Sequence, residues 1–260
     1  MTLQVLVAAV KQNTHDLAAR MNLKTDAIII NQDDYFGYEE IHLDNSLIKA
    51  YTFAERGVGL SRNNALFRAT GDIVLFSDED IILNSSYADM ILKEFAACPS
   101  ADMILFNVKV DKRRSTYRHA DHKRVRWYNY GRYPTYCIAA RTKKLHSANI
   151  SFSLLFGGGA RYSNGEDSLF LHDCLKKGLK IYGSPKNIGR EEYRESTWFE
   201  GYNEKFFYDR GVLYHFLYGI MAKPFAFRFL FMKKAKLCQE IKLKQAFQFM
   251  KSGMKQAKSF

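Results

Sequence analysis

Three consecutive carboxylates, Asp78, Glu79 and Asp80, follow the apolar run Ile73, Val74, Leu75 and Phe76, and apolar Ile81, Ile82 and Leu83 come next. Like charges repel, so crowding them where a buried strand ends calls for a compensating cation. Two carboxylates one residue apart offer hard oxygen donors to a divalent ion such as Mn2+ or Mg2+, which can in turn neutralise a diphosphate. Taken alone, an Asp-x-Asp is more often an acidic turn leading into the next helix. A second acidic pair, Glu166 and Asp167, follows the glycine-rich stretch "SLLFGGGARYSNG". A carboxylate there can remove a proton from an attacking hydroxyl, and a neighbouring carboxylate raises its pKa toward the working pH. The plainer account is that acids at a helix start favour the macrodipole. Arg62 and Asn63 lie in a helix just upstream of the first acidic run, where a guanidinium fork suits a phosphate or a nucleobase edge.

The elements that must hold these groups alternate between strand and helix. Apolar runs predict strands at 3–10, 26–31, 47–53, 72–77 and 102–110, and helical spacing predicts helices at 14–21, 60–69 and 85–97, the last with Ser85 as N-cap. A further helix is predicted over 166–177, ended by Gly178, with a strand at 179–185. Such alternation implies an α/β fold with a largely parallel sheet covered on both faces. In such sheets ligands bind beyond the carboxyl ends of the strands, where the strand order switches. Residues 31–34 and 77–80 both follow predicted strands, so the acids sit where an α/β sheet keeps its chemistry.

In order and at fitting spacing, Gly59, Ser61, Arg62, Asn63, Gly71, Asp72, Phe76, Asp78 and Asp80 resemble the pattern of the GT-A glycosyltransferases of family 2. "NGEDSLFL" resembles that family's Glu-Asp motif at a helix start, and the likeness covers roughly residues 3 to 185. The resemblance implies a GT-A fold: a Rossmann-like, mostly parallel sheet flanked by helices. It also implies an inverting, metal-dependent transfer from a nucleoside-diphosphate sugar, UDP-linked in the first instance, to a glycan or lipid-linked acceptor. Surface polysaccharide synthesis, capsular or exopolysaccharide, is the setting it implies. On the same footing Asp80, together with Asp78, coordinates Mn2+ or Mg2+, Asp78 also lies against the ribose or the metal's water shell, and Glu79 belongs to the nucleotide-sugar-binding residues. Arg62 and Asn63 contact the nucleotide. Asn31, Gln32 and Asp33 occupy the region that reads the base, although Asn31 stands where the family often has Asp. Asp167 is the implied general base, with Glu166 as its neighbour or a second candidate.

Gly157, Gly158 and Gly159 would let the backbone approach a ligand or swing as a lid. Gly158 and Gly159, with Trp198 and Tyr202, are assigned to the acceptor side, since aromatic faces stack on sugar rings. His215 is weighed as an extra metal ligand and not expected to be one.

The 260 residues carry a net charge of +12, 15% aromatic residues, and four scattered cysteines that form no zinc or disulfide pattern. From residue 221 onward there are ten Lys or Arg and one acid, Glu240, so most of the excess charge lies in the last forty residues. A catalytic domain at 1–210 is therefore expected, with its nucleotide half at about 1–110 and its acceptor half at about 111–210. A basic amphipathic helical tail is expected at 211–260. In that tail Leu243, Phe247, Met250 and Met254 recur at helical spacing beside Lys242, Lys244, Lys251 and Lys255. The charge favours an anionic membrane surface over packing on the domain or a homodimer contact. The N-terminus reads as a first strand and not a signal peptide, so the expected location is cytoplasmic, peripheral at the inner face of the membrane. Two rivals are a sugar nucleotidyltransferase, which lacks its glycine-rich loop after the first strand here, and a basic protein that binds nucleic acid or membrane without catalysis. Neither rival accounts for both acidic motifs, and no nucleic-acid partner is expected.

Overall fold

The structure, a computed structural model, describes residues 1–111, 115–192, 201–233, 237 and 241–260. In chain order the elements are β1 (Leu3–Val10), α1 (Thr14–Arg20), β2 (Ala27–Gln32), β3 (Gly37–Leu43), β4 (Ser46–Phe53) and α2 (Val58–Arg68). Next come β5 (Ile73–Asp78), β6 (Ile81–Leu83), α3 (Tyr87–Ala97), β7 (Met103–Lys109), β8 (Lys123–Val125) and β9 (Ile138–Arg141). They are followed by α4 (Thr142–Ser147), α5 (Glu166–Lys176), β10 (Ile181–Glu191), α6 (Glu204–Tyr218), α7 (Ala222–Met232) and α8 (Leu243–Ala257).

Period-two alternation along the central strands splits the core between the two faces of one sheet. Leu6, Ile28, Val74 and Phe76 face α2, α5 and the C-terminal helices. Val5, Val7, Ile29, Ile73 and Leu75 face α1 and α3, meeting Leu17, Ile91 and Phe95. The strand order is β3-β4-β2-β1-β5-β9-β7-β10-β6, with β8 also pairing β10. β1 lies parallel to both β2 and β5, with Ala8 opposite Ile30 on one side and Asp78 on the other. The chain therefore leaves β1 in one direction and returns on its other side at β5. That reversal opens a crevice at the carboxyl edge beside Asp78.

Several elements differ from the sequence expectation. β3 was unforeseen because its stretch, "GYEEIHL", is polar; it is an edge strand that buries little besides Ile41. α3 starts at Tyr87, with Ser86 in the cap position and Ser85 outside the helix. β10 runs past the predicted 185 to Glu191, because its polar half pairs with β7 through register shifts and with β6.

The C-terminal helices pack on the domain. The division expected at 210/211 falls inside α6. α6 and α8 cross with backbone against backbone: a Cβ on Gly253 would sit 2.1 Å from the Tyr208 carbonyl oxygen, and one on Gly211 would sit 2.1 Å from that of Met250. Ala246, Met250, Met254 and Ala257 are buried in this contact. The stripe that the sequence assigned to lipid is thus largely covered by the protein itself. The excess charge that favoured lipid is carried on the outer side of the same helix, where Lys244, Lys251 and Lys255 are exposed. Gly253→Ala is expected to lower stability by about 1–3 kcal/mol, read by urea unfolding, because two backbones must move apart. An unchanged midpoint would show that α8 is not held where the structure places it.

Candidate active site

β5 delivers the acids to the crevice. Asp78 is its last residue, and Glu79 Oε2 accepts a 2.7 Å hydrogen bond from the Val10 N–H at the end of β1. On the other side the Asp80 carbonyl accepts from the Glu192 N–H at 2.7 Å, beyond β10. The acidic turn is therefore pinned at both ends. Burial, then the charges of Asp78 and Glu191, push the Asp80 carboxyl up to about 7. Among the described residues no Lys, Arg or His forms an ion pair with Asp80.

Arg62 joins the two acidic motifs. Its side chain, 5% exposed, reaches from α2 with Nη2 donating to Asp78 Oδ1 at 2.9 Å and Oδ2 at 3.2 Å. Its Nη1 lies 3.3 Å from Glu166 Oε1 and 3.3 Å from Asp167 Oδ1, both in the first turn of α5. The Phe152 ring lies 5.4 Å from the guanidinium carbon. Burial works against the charge on Arg62, but Asp78, Asp167 and Glu166 outweigh it, so its pKa is raised. One guanidinium thus faces three carboxylates, and the excess negative charge suits a cation.

Asp167 is shaped by its neighbours. Its Oδ1 also accepts a short hydrogen bond from Thr135 Oγ1, and Thr135 is buried. Its Oδ2 takes no hydrogen bond among the described residues. The Asp167 side chain is 30% exposed and that of Asp78 is 29% exposed, so both open onto the crevice. Burial and the Glu166 charge raise the Asp167 pKa, against the opposing effects of Arg62 and the Thr135 hydrogen bond. A carboxylate with one oxygen tied down and the other open is suited to accept a proton.

The remaining expected residues have varied positions. Asn63 spends its amide on the Phe152 backbone, donating to its carbonyl at 2.9 Å and accepting from its N–H at 2.7 Å. It thereby fixes α2, and Arg62 with it, against the 150s segment. Asn31 closes on Gln12 in the same way, and Gln32 Oε1 accepts from the Gly57 N–H at 2.6 Å. Asp33 accepts on its carbonyl from Arg56 at 2.9 Å. Its neighbour Asp34, which the sequence did not single out, bridges Lys11 and Arg56. Gly158 accepts on its carbonyl from the Val58 N–H at 2.9 Å, and Gly159 has a φ of +78°, where a Cβ would be strained and would sit a tight 3.1 Å from the Gly57 nitrogen. These two glycines pack on the start of α2. Tyr202 meets Phe206 edge to face at 5.1 Å, while Trp198 lies outside the described residues. Thr135 was missed, and no sequence motif marks it: only the fold carries it 32 positions along the chain to Asp167.

No cluster of three or more His, Cys, Asp or Glu side chains able to hold a metal occurs among the described residues. Asp78 and Asp80 supply oxygen donors from two carboxylates. That donor set fits Mn2+ or Mg2+ held jointly with phosphate and water, since Mg2+ keeps several waters and takes only one or two carboxylates.

A mostly parallel sheet flanked by helices, with an acidic turn after a central strand, defines this protein as GT-A-like. The description Glycosyl transferase family 2 matches residues 3–156, more than half of the chain, and the protein belongs to that family as a glycosyltransferase. The match stops before α5, so Glu166 and Asp167 lie outside the matched residues. No curated protein sequence matches the chain. Among solved structures, S. aureus TarS residues 1–349 is similar over 99% of this chain and 81% of its own, at 17% identity and a TM-score of 0.62. The same protein in complex with UDP-GlcNAc is similar over 100% and 83%, at 16% identity and a TM-score of 0.63. No helix among the described residues is long and apolar enough to cross a membrane.

Proposed function

We propose that the protein transfers a sugar, with inversion, from a UDP-linked donor to a hydroxyl of a glycan or lipid-linked acceptor, at the cytoplasmic face of a membrane. The observation that carries this reading is Arg62: it draws Asp78, beside the candidate metal ligand Asp80, to Glu166 and the candidate base Asp167. The fold likeness to a protein seen with UDP-GlcNAc supports the choice of donor.

Asp80 and Asp78 would hold the divalent cation, which supplies charge compensation for the departing diphosphate. Arg62 holds Asp78 and the α5 acids in register across the crevice. The open Oδ2 of Asp167 takes the proton of the acceptor hydroxyl as that oxygen bonds to the anomeric carbon. The bond from that carbon to the diphosphate oxygen breaks, and its electron pair leaves with the nucleoside diphosphate. One displacement inverts the centre, so no covalent enzyme intermediate is needed. The acidic crevice does not suit a nucleic-acid backbone, which leaves the charge of the C-terminal helices for another role.

Thermal denaturation tests the donor and metal together. UDP with Mn2+ is expected to raise Tm by about 5 °C at saturating ligand. UDP in excess EDTA, and an oligonucleotide, are expected to raise it by less than about 1 °C on the same scale. Equal stabilisation with and without EDTA would end the metal reading, and no response to any nucleotide sugar would end the donor reading.

A further inference from the structure

Covering the α8 stripe leaves a different apolar surface exposed. Ile220, Phe227 and Phe231 are spaced by seven and four residues, so they form one stripe along α7 and the turn before it. They are 97%, 53% and 69% exposed. The opposite face of α7 is seated: Ala222, Ala226 and Leu230 are buried in the core shared with α6 and α8. Single exposed apolar residues are ordinary, but three large ones aligned along a helix that has already found its core are not.

Along the chain, the charge flanking the stripe has one sign. Between Asp209 and Glu240 the sequence holds six Lys or Arg and no acid. Lys223 and Arg228 are exposed on α7 itself. The Phe227 ring meets Phe247 of α8 edge-on at 6.2 Å, which brings Lys244 and Lys251, one turn to either side of Phe247, to the same flank. A second exposed pair, Trp127 and Tyr128, stands between Arg126 and the buried Tyr130. Tyr130 lies against Tyr218, the last residue of α6, so this loop is anchored where the stripe begins.

We propose that the α7 stripe, Ile220, Phe227 and Phe231 with its flanking Lys223 and Arg228, docks on an anionic lipid bilayer. Aromatic and aliphatic side chains enter the headgroup boundary while the basic groups meet lipid phosphates. Trp and Tyr beside Arg have the amphipathic character that favours this boundary. A second copy of the chain fits less well. A two-fold contact through the stripe would bring Lys223 and Arg228 of one copy near the same cations of the other, with no acid between Asp209 and Glu240 to offset them. The surface deepens the proposed membrane location and does not depend on the catalytic assignment, so the two fail separately.

Vesicle sedimentation tests it with the full chain. The wild type is expected to pellet with phosphatidylglycerol–phosphatidylcholine vesicles, less so as salt rises, and not with phosphatidylcholine alone. The double variant Phe227→Ser/Phe231→Ser is expected to bind at least about tenfold more weakly, since two large apolar groups no longer leave water. Its Tm and donor turnover should match the wild type, because both rings lie outside the core. Wild-type protein that stays in solution with anionic vesicles would overturn the proposal, as would a double variant that pellets equally well. A wild-type dimer in sedimentation velocity that the double variant loses would assign the stripe to a second copy, also against it.

Discussion

Asp80→Asn is expected to abolish sugar transfer while leaving the metal-free protein at least as stable as the wild type. The two effects have one cause. Asp80 sits in a partly buried turn close to Asp78 and Glu191, and without a cation its charge is opposed by both burial and repulsion. Asparagine keeps the shape and removes the charge, so the apo protein gains what the crowding cost. The backbone bond from the Glu192 N–H to the Asp80 carbonyl, which pins the turn, is unaffected. Removing one of two candidate metal ligands withdraws the compensation a leaving diphosphate needs, a loss of several kcal/mol, or on the order of a thousandfold in rate. Initial rates with a UDP-sugar and Mn2+, alongside melting curves in EDTA, read both halves. Turnover near the wild-type rate would detach the metal from this turn. An apo protein that melts well below the wild type would mean that Asp80 has a structural partner and its charge is not in excess.

The sequence made some of this site legible for a definite reason. An apolar strand that ends in three acids is improbable unless something compensates them, and β5, expected at 72–77, runs from Ile73 to Asp78, one residue further on at each end. The start of α5 at Glu166 was legible in the same way, as acids placed after a glycine turn. Arg62 was marked as a phosphate-binding group, yet its nearest partners are three carboxylates, two of them more than one hundred residues away. Long-range partners are invisible in one sequence because they depend on the packing of α2 against α5. Asn63 shows the same limit: the sequence marks a polar residue beside Arg62, whereas both ends of its amide hold the Phe152 backbone. The amphipathic pattern of α8 was correctly periodic, but periodicity does not say what covers an apolar face. Gly211 and Gly253, which decide that question by letting two helices touch, leave no sign in a hydrophobicity pattern.

Asp167→Asn is expected to slow transfer by about 10²–10⁴-fold, the usual contribution of a general base, with donor binding unchanged. The amide oxygen can still accept from Thr135 Oγ1 and Arg62 Nη1, so the geometry of α5 survives while the proton acceptor is lost. The pH profile separates this role from a structural one. In the wild type the base must be ionised, so kcat/KM falls as pH drops through a pKa held above the ordinary Asp value by burial and Glu166. In the Asn variant that acid limb disappears. Thr135→Val removes a hydrogen bond that favours the ionised form, so the limb moves to higher pH, and Thr135→Ser restores it. A merely structural threonine would change Tm and leave the limb in place. If Asp167→Asn retains the wild-type rate and profile, the base lies elsewhere. Glu166 is the next carboxylate in reach of Arg62, although Oε1 is held by that guanidinium and Oε2 accepts from the Gly165 N–H, so neither oxygen is open as Asp167 Oδ2 is.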